Sequence, residues 1–233
     1  MLYLIGLGLN SKGYSKEAYE TVEKADKLYL ESYTVEFHYS KEEIEKEFGK
    51  KIEDADREKV ENLSLIDEAK KQDVALLIYG TPLTATTHIT LIQEAKKKKV
   101  KIKVIHSASV LDAIAETGLQ IYKFGKITSI PNFEADSFIK IVKENLSINA
   151  HSLILVDIGM NFSEALDKIA NACAKHKVKL EKVIACSRLG NSDSKIYYDG
   201  TNNLKSKKVK APFCIIIPGK LHFVEKEFLE GFS

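Results

Sequence analysis

Apolar residues occur along the chain in short continuous runs that alternate with amphipathic stretches. Residues 2–9 and 73–80 are apolar almost throughout, which is typical of strands buried on both faces of a parallel sheet. Two further strands are predicted at 27–34 and 101–105, and helices at 15–25, 40–49, 64–71, 84–99 and 108–117. The helix from Ser40 opens with a capping box. Strands that alternate with helices predict a parallel sheet with helices on its faces.

The alternation breaks at about residues 118–125, and the second half has a different pattern. Strands are predicted at 126–129, 152–158, 182–187, 195–198 and 213–218, and helices at 136–146, 162–176 and 221–230. Asp199-Gly200 is a typical hairpin turn, which favours antiparallel strands in this half. The sequence therefore predicts two α/β domains, residues 1–118 with a mainly parallel sheet and residues 119–233 with a mixed one.

Charge and cysteine content exclude several classes of protein. The chain has 35 Lys plus Arg against 33 Asp plus Glu, and only Arg57 and Arg188 are arginines, which argues against direct nucleic-acid binding. The three cysteines are far apart, so we expect free buried thiols rather than disulfides or a zinc site. No apolar run reaches the roughly 20 residues that span a bilayer, and residues 1–9 lack the basic region and cleavage site typical of a signal peptide, so we do not expect them to act as one. We expect a soluble cytoplasmic protein.

A Gly-x-Gly pair follows the first buried strand. Gly6 and Gly8 would let a ligand approach the backbone closely, although the same pair also suits a tight strand exit. The dinucleotide-binding fingerprint needs a third glycine at position 11, where this chain has Ser11. Glu31 lies at the distance where that fingerprint places its ribose-binding acid.

A threonine-rich turn follows the strand at 73–80. Gly80-Thr81-Pro82-Leu83-Thr84-Ala85-Thr86-Thr87-His88 offers many hydroxyl groups and little charge, which suits a neutral polar ligand at a strand end. Thr84 or Thr86 is also a candidate cap for the next helix. His106-Ser107-Ala108-Ser109-Val110 follows the next strand, so three turns are expected to meet at one sheet edge and form a pocket.

The second half offers corresponding turns, and several common catalytic motifs are absent. The turns are Val156-Asp157-Ile158, Ser187-Arg188-Leu189-Gly190 and Ile217-Pro218-Gly219-Lys220-Leu221-His222. His222 is more typical of a structural role than of catalysis. The sequence has no GxSxG, HExxH or GxxxxGK[ST] motif and no ligand spacing for a metal. It therefore predicts a site that binds and orients a ligand without a metal, and no residue is assigned a catalytic role.

Together these motifs resemble the diphthine synthase family, in its archaeal form, within the tetrapyrrole-methylase-like class. The motifs that carry the resemblance are residues 2–9, 80–88, 106–110, 121–126, 156–158, 187–188 and 218–222, in family order and over nearly the whole chain. The resemblance implies two α/β domains with a cofactor cleft between them, usually in a homodimer. It also implies an S-adenosyl-L-methionine-dependent methyltransferase whose product is S-adenosyl-L-homocysteine.

The resemblance further implies a substrate and a set of cofactor contacts. The substrate would be the modified histidine of translation elongation factor 2, whose amino group is methylated during diphthamide biosynthesis. The cofactor-binding residues would be Leu9, Thr81, Thr84, Ser109, Val110, Val156, Leu189 and Phe213. The sulfonium methyl is already electrophilic, so in-line positioning of a neutral amine is the main requirement.

Position 81 departs from the family pattern, which reads Gly-Asp-Pro where this chain has Gly80-Thr81-Pro82. A charge-assisted hydrogen bond from an aspartate would contribute about 1.5–3 kcal/mol, against about 0.5–1.5 kcal/mol for a neutral one. We therefore expect cofactor binding about tenfold weaker than with an aspartate. The departure also fits a weakly active copy of the enzyme.

Three other functions are compatible with parts of the sequence. A sister methyltransferase acting on a tetrapyrrole ring would show a longer glycine signature after the first strand, whereas this one stops at Gly8. A non-catalytic module would bind the cofactor, a nucleotide or the elongation factor without methyl transfer. The missing third glycine and the mixed sheet of the second domain argue against a nicotinamide-dependent dehydrogenase.

Overall fold

The computed structural model describes residues 1–232 and divides the chain into two compact units. The first runs from Met1 to Asp112 and the second from Ala113 onward. The boundary predicted from the sequence, after residue 118, lies a few residues further along the chain.

The first unit is a five-stranded parallel sheet with helices on both faces. Its strands are β1 (Leu2–Gly6), β2 (Lys27–Glu31), β3 (Glu53–Ala55), β4 (Val74–Ile78) and β5 (Ile102–Ile105). Its helices are α1 (Lys16–Lys24), α2 (Lys41–Phe48), α3 (Arg57–Glu61), α4 (Ser64–Ala69), α5 (Ile89–Lys97) and α6 (Val110–Ala113), the last of which ends at the unit boundary. The strand order is β3-β2-β4-β1-β5, and every pair is parallel, as predicted. The short β3 and α3 were not predicted.

The continuous apolar runs arise because successive side chains of each strand enter two different cores. Leu76 and Ile78 of β4 pack in one cluster with residues of α3, α4 and α5. Ala75 and Leu77, which point the other way, pack in a second cluster with residues of α1 and α2. A strand covered on both faces has no position for a polar side chain, so its sequence is apolar throughout.

The second unit has a mixed sheet, as predicted. Its strands are β6 (Thr128–Ile130), β7 (Ser152–Val156), β8 (Val183–Ser187), β9 (Lys195–Asp199) and β10 (Phe213–Ile217). Its helices are α7 (Phe138–Ser147), α8 (Phe162–Lys175), α9 (Thr201–Leu204) and α10 (Phe223–Glu230). The strand order is β6-β7-β10-β8-β9; β6 is parallel to β7, and the other neighbours are antiparallel. Cys173, Cys186 and Cys214 are free and buried, which confirms that expectation.

Helix starts confirm some sequence signals and contradict others. Ser40 caps α2 in a full capping box with Glu43. The helix predicted from residue 84 begins instead at Ile89, and no side chain caps it, so the alternative in which Thr84 or Thr86 serves as the cap is wrong. Backbone bonds within the threonine-rich turn hold that segment out of the helix, including the bond from the Thr84 amide to the Thr81 carbonyl at 3.3 Å.

The hairpin turn predicted at Asp199-Gly200 was also wrong. Gly200 precedes α9, and the Asp199 side chain accepts a hydrogen bond from the Gly200 amide at 2.7 Å and one from the Asn203 side chain at 3.0 Å. The antiparallel connection lies instead between β8 and β9, across residues 188–194. Asp-Gly precedes a helix here. The same dipeptide is common in tight turns, so its presence alone does not distinguish the two structures.

A buried carboxylate ties together two segments of the second unit that the sequence analysis singles out, near residues 121–126 and 218–222. Glu225, in the first turn of α10, is only 1 % exposed. It accepts hydrogen bonds from the amides of Gln120 at 3.0 Å and His222 at 2.7 Å, from His151 Nε2 at 3.2 Å, and from the Lys123 ammonium. This cluster connects residues 120–123 with the start of α10. His222 therefore has a structural role here, and its side chain also accepts a bond from the Val224 amide.

The pKa values of this cluster follow from its hydrogen bonds. Burial raises the pKa of Glu225, but the bonds from Lys123, Gln120, His222 and His151 outweigh it and lower the pKa to about 2. Burial lowers the pKa of His151 from its usual value, against the attraction of Glu225.

The geometry also fixes which nitrogen of His151 carries the proton. The Gly219 amide donates to its Nδ1 at 2.9 Å, so Nδ1 holds a lone pair and Nε2 carries the proton that Glu225 accepts. A second proton, on Nδ1, would face the Gly219 N–H. The neutral imidazole is therefore the form that this site accommodates.

Acidification is expected to destabilise the protein through both groups. Below the unfolded pKa of 6.5, unfolded His151 binds a proton that the folded imidazole does not, so stability falls as the pH drops below that value. The Glu225 carboxylate adds a second loss, because its pKa is about 2 in the folded state against 4.5 in the unfolded state, and stability falls from pH 4.5 downward. Urea unfolding measured from neutral to acid pH tests both.

The variant His151→Gln keeps a donor for Glu225 but does not titrate, so its stability should vary less than that of the wild type between about pH 7 and pH 5. His176→Gln is the control, because His176 bonds the partly exposed Asp136 outside this cluster. Equal pH slopes for His151→Gln and the wild type would contradict the assignment.

Candidate functional site

Three turns meet at the carboxyl edge of the first sheet. They follow β1, β4 and β5, which are direct neighbours in the order β4-β1-β5. Because the strands are parallel, their carboxyl ends lie at the same edge, where open α/β sheets bind ligands. The convergence expected from the sequence is therefore present within this unit.

A backbone bridge joins two of these turns. The Gly8 amide donates to the Gly80 carbonyl at 3.1 Å, and the Gly80 amide donates to the Gly8 carbonyl at 2.9 Å. The Leu7 amide also donates to the Ile78 carbonyl at 2.8 Å. The turn after β1 thus continues the sheet beyond the strands, and its position is set by the turn after β4.

Close backbone approach explains why these positions are glycine. A Cβ on Gly6 would lie 2.6 Å from the Gly80 carbonyl oxygen, and one on Gly8 would lie 2.5 Å from the carbonyl oxygen of Gly13. Gly8 and Gly80 also have φ values of +72° and +70°, in the left-handed region. The contacts that require glycine are therefore made by the protein's own backbone, which supports the tight strand exit.

The turn after β5 is tied to both of the others. The Ser107 hydroxyl donates to the Gly13 carbonyl at 2.8 Å, and His106 Nδ1 lies 3.1 Å from the Thr81 hydroxyl oxygen. His106 is exposed and Thr81 is half-buried. Where the family has an aspartate, this chain thus has a hydroxyl that is hydrogen-bonded to a histidine.

Four predicted cofactor residues of the first unit, Leu9, Thr81, Thr84 and Ser109, lie on these turns, and Val110 begins α6. Leu9 is buried, and Thr81 and Thr84 are half-buried. Ser109 is buried, and both its amide and its hydroxyl donate to the Asp112 carboxylate, at 2.7 and 3.0 Å. Its hydroxyl therefore serves a cap at the start of α6. The Ser-x-x-Asp spacing is a capping signal that the sequence analysis missed.

Glu31 is not available to bind a ribose. The side chain is fully buried, and its carboxylate accepts bonds from the Thr34 hydroxyl at 2.8 Å and the Tyr33 amide at 3.3 Å. Burial raises the pKa of Glu31, while these bonds and nearby His88 oppose the shift. This removes the acidic residue that a dinucleotide-binding site would need.

The three predicted cofactor residues of the second unit lie at one edge of its sheet. Val156 ends β7, Phe213 begins the neighbouring antiparallel strand β10, and Leu189 follows the end of β8. Val156 and Phe213 are half-buried against the same core, and the Phe213 ring packs edge-on against Phe162 at 5.5 Å. The sheet therefore brings these three apolar residues to the same edge.

Arg188 holds the turn that carries Leu189. Its Nε donates to the Ala211 carbonyl and one terminal nitrogen to Asp193, each at 2.8 Å. Its backbone lies in the left-handed region, with φ of +53°. Arg188 thus fixes the shape of the turn through protein contacts.

Within residues 1–232, no group of three or more His, Cys, Asp or Glu side chains is arranged to hold a metal ion. Over the same range, every helix is too short or too polar to cross a bilayer.

Comparison with known families identifies the class of protein. The family model described as Tetrapyrrole (Corrin/Porphyrin) Methylases matches residues 1–203. The two sheets and their strand-end turns are therefore those of a methylase of this class.

Individual relatives narrow the class. The diphthine synthase of Methanocaldococcus jannaschii is 38% identical over 251 aligned residues, which cover 99% of this chain and 98% of that protein. A probable diphthine methyl ester synthase of Arabidopsis thaliana is 36% identical over 272 aligned residues, covering 100% and 98%. A crystal structure of diphthine synthase has a TM-score of 0.93 and 34% identity, covering 100% of this chain and 95% of its own. The chain belongs to the diphthine synthase family of methyltransferases.

The bridge between the turns leads to a prediction about Gly8. Gly8→Ala should lower the free energy of unfolding by about 3 kcal/mol, because the new Cβ meets the Gly13 backbone in a left-handed conformation. Gly49→Ala is the matched control, with φ of +63° and open space around the Cβ, and should cost only about 1–2 kcal/mol. Urea unfolding of both variants makes the comparison. Equal losses would mean that conformation alone requires glycine at position 8.

Proposed function

We propose that this chain transfers methyl groups from S-adenosyl-L-methionine to the amino group of the modified histidine of translation elongation factor 2, a step of diphthamide biosynthesis. Its membership of the diphthine synthase family supports this assignment. The structural observation that carries it is the convergence of three turns at the carboxyl edge of the first sheet.

The proposed cofactor contacts suit a sulfonium compound. They are Leu9, Thr81, Thr84, Ser109 and Val110 of the first unit and Val156, Leu189 and Phe213 of the second. None of these side chains is charged, so the contacts would be apolar or neutral hydrogen bonds. Thr81 and Thr84 carry the hydroxyl groups that would contact the cofactor, Thr81 while hydrogen-bonded to His106, because the Ser109 hydroxyl is engaged by Asp112.

The chemistry asks for orientation more than for reactive side chains. When bound, S-adenosyl-L-methionine supplies an electrophilic methyl group, and its transfer to the amine leaves S-adenosyl-L-homocysteine. The protein has to hold the amine in line with that methyl group and keep the reacting groups together, which by itself accelerates a reaction greatly. Turns fixed by backbone bonds, such as those of Gly8 and Gly80, suit that task because they lose little freedom on binding.

We further propose that the protein works in the cytoplasm as a homodimer. The dimer is what the resemblance to the family implies, and an interface would remove from solvent some of the large apolar side chains that the second unit exposes. Tyr122 is 90 % exposed, and Phe223 and Phe133 are 72 % and 71 % exposed.

Mass spectrometry of the protein substrate tests the activity. Elongation factor 2 that carries the unmethylated intermediate is incubated with this protein and methyl-labelled S-adenosyl-L-methionine, and the modified peptide is then isolated. The proposal expects labelled methyl groups on the amine. The name of the Arabidopsis relative makes a methyl ester the second candidate product. Mild alkali separates the two, because it removes an ester methyl group and leaves methyl groups on nitrogen.

The other outcomes of this experiment are equally informative. Complete loss of the label in alkali would mean that the product is a methyl ester and not a methylated amine. Stoichiometric cofactor binding without labelled product would favour the non-catalytic module. Label on a tetrapyrrole ring, offered in a parallel reaction, would favour the sister methyltransferase.

The residue at position 81 gives a prediction about affinity. Thr81→Asp should bind S-adenosyl-L-homocysteine about tenfold more tightly in calorimetry, because a charged acceptor replaces a neutral hydroxyl. Thr81→Asn has the same shape without the charge and should stay close to the wild type. If Thr81→Asp leaves the affinity unchanged, position 81 does not contact the cofactor.

A further inference from the structure

His88 is a fully buried histidine at the end of the threonine-rich turn. Its side chain is 0 % exposed, and Nδ1 lies 2.9 Å from the Pro82 carbonyl oxygen. The ring packs edge-on against Tyr33, with centroids 6.3 Å apart. Its Nε2 is buried and has no hydrogen-bond partner among residues 1–232.

The bond to Pro82 defines the protonation of the ring. A carbonyl oxygen can only accept, so Nδ1 carries a proton and donates it. This single bond connects the turn to the residue that immediately precedes α5. His88 therefore anchors the middle of the turn to the buried start of a helix.

The Pro82 carbonyl also accepts a second, more local bond. The Thr86 hydroxyl donates to it at 2.7 Å, from four residues along the chain. The turn that these two bonds enclose contains Ala85, which has φ of +56° in the left-handed region that L-residues disfavour. Such a conformation persists only where the surrounding contacts impose it.

A stabilising role alone explains His88 poorly. His88 attracts the buried Glu31 carboxylate, but its buried Nε2 has no hydrogen-bond partner among residues 1–232, and such a nitrogen costs free energy that a purely stabilising side chain would avoid. Without His88 the Pro82 carbonyl would still accept a hydrogen bond, because the Thr86 hydroxyl donates to it. What an apolar replacement loses is the link between the turn and α5.

We propose that His88 is a positioning residue that holds the Thr81–Thr84 segment in its ligand-binding conformation. The inference rests on the proposed function, in which Thr81 and Thr84 contact the cofactor. His88 itself acts through the Pro82 carbonyl and touches no ligand.

Two substitutions separate the hydrogen bond from the volume of the ring. His88→Leu has a similar size and no donor. His88→Asn places an amide nitrogen where Nδ1 stands and so retains the donor. Each is compared with the wild type by calorimetry with S-adenosyl-L-homocysteine, by thermal melting without ligand, and by hydrogen exchange of the amides of residues 83–87.

The expected pattern is a loss of affinity that follows the hydrogen bond to Pro82 and not the melting temperature. Both variants lose the attraction between His88 and the buried Glu31 carboxylate and should melt lower to a similar extent, but His88→Leu alone should bind S-adenosyl-L-homocysteine about tenfold more weakly and exchange the turn amides faster. His88→Asn should recover most of the affinity and the protection of these amides. Thr90→Val is the matched control, because the Thr90 hydroxyl bonds the Thr87 carbonyl outside the linkage to Pro82. It should match the wild type in all three measurements.

Contrary results are distinguishable. Wild-type affinity and exchange in His88→Leu would overturn the inference. A lower melting temperature together with weak binding in His88→Leu, not recovered in His88→Asn, would assign His88 to stability alone. If the wild type binds no S-adenosyl-L-homocysteine, the proposed function fails. The exchange measurement then still decides whether His88 orders the turn, since it needs no ligand.

Discussion

The site in the first unit depends on a reciprocal pair of backbone hydrogen bonds between Gly8 and Gly80. These bonds need no side chain, and they require that none be present, because a Cβ at Gly6 or Gly8 would collide with a neighbouring carbonyl. The turns after β1 and β4 are thereby fixed relative to each other by the sheet's own hydrogen-bonding pattern. Ser107 extends the same constraint to the turn after β5 through the Gly13 carbonyl.

Such a scaffold accounts for the scarcity of catalytic motifs in the sequence. A reaction whose methyl donor is already electrophilic needs geometry more than it needs a nucleophile or a metal ion. Geometry of this kind is supplied by glycines, carbonyl groups and threonine hydroxyls. These groups are common in every turn, so their chemical role shows only when the turns are seen together.

The parts of the fold that local chemistry determines were predictable from the sequence. The two-sided burial of β4 produces an apolar run, and the Ser40 capping box marks the start of α2. The predicted start of α5 was wrong because the hydrogen bonds from Thr86 and His88 to the Pro82 carbonyl keep residues 82–88 in a turn outside the helix. The Glu225 cluster was missed for a different reason. Its partners Gln120 and His151 are 105 and 74 residues away along the chain, and no local pattern reports such contacts.

Chain order has a consequence for the way the protein is made. The first sheet is complete once β5 has been synthesised at Ile105, before any strand of the second sheet has been made. The second sheet has β10 between β7 and β8, although β10 follows both of them and β9 along the chain. Until Phe213–Ile217 emerges, the inner edges of β7 and β8 have no partner, and unpaired strand edges invite aggregation. The amino-terminal unit can therefore fold during translation before the second sheet is made, whereas the second unit must wait until β10 has been synthesised and is the part that chaperones would have to shield.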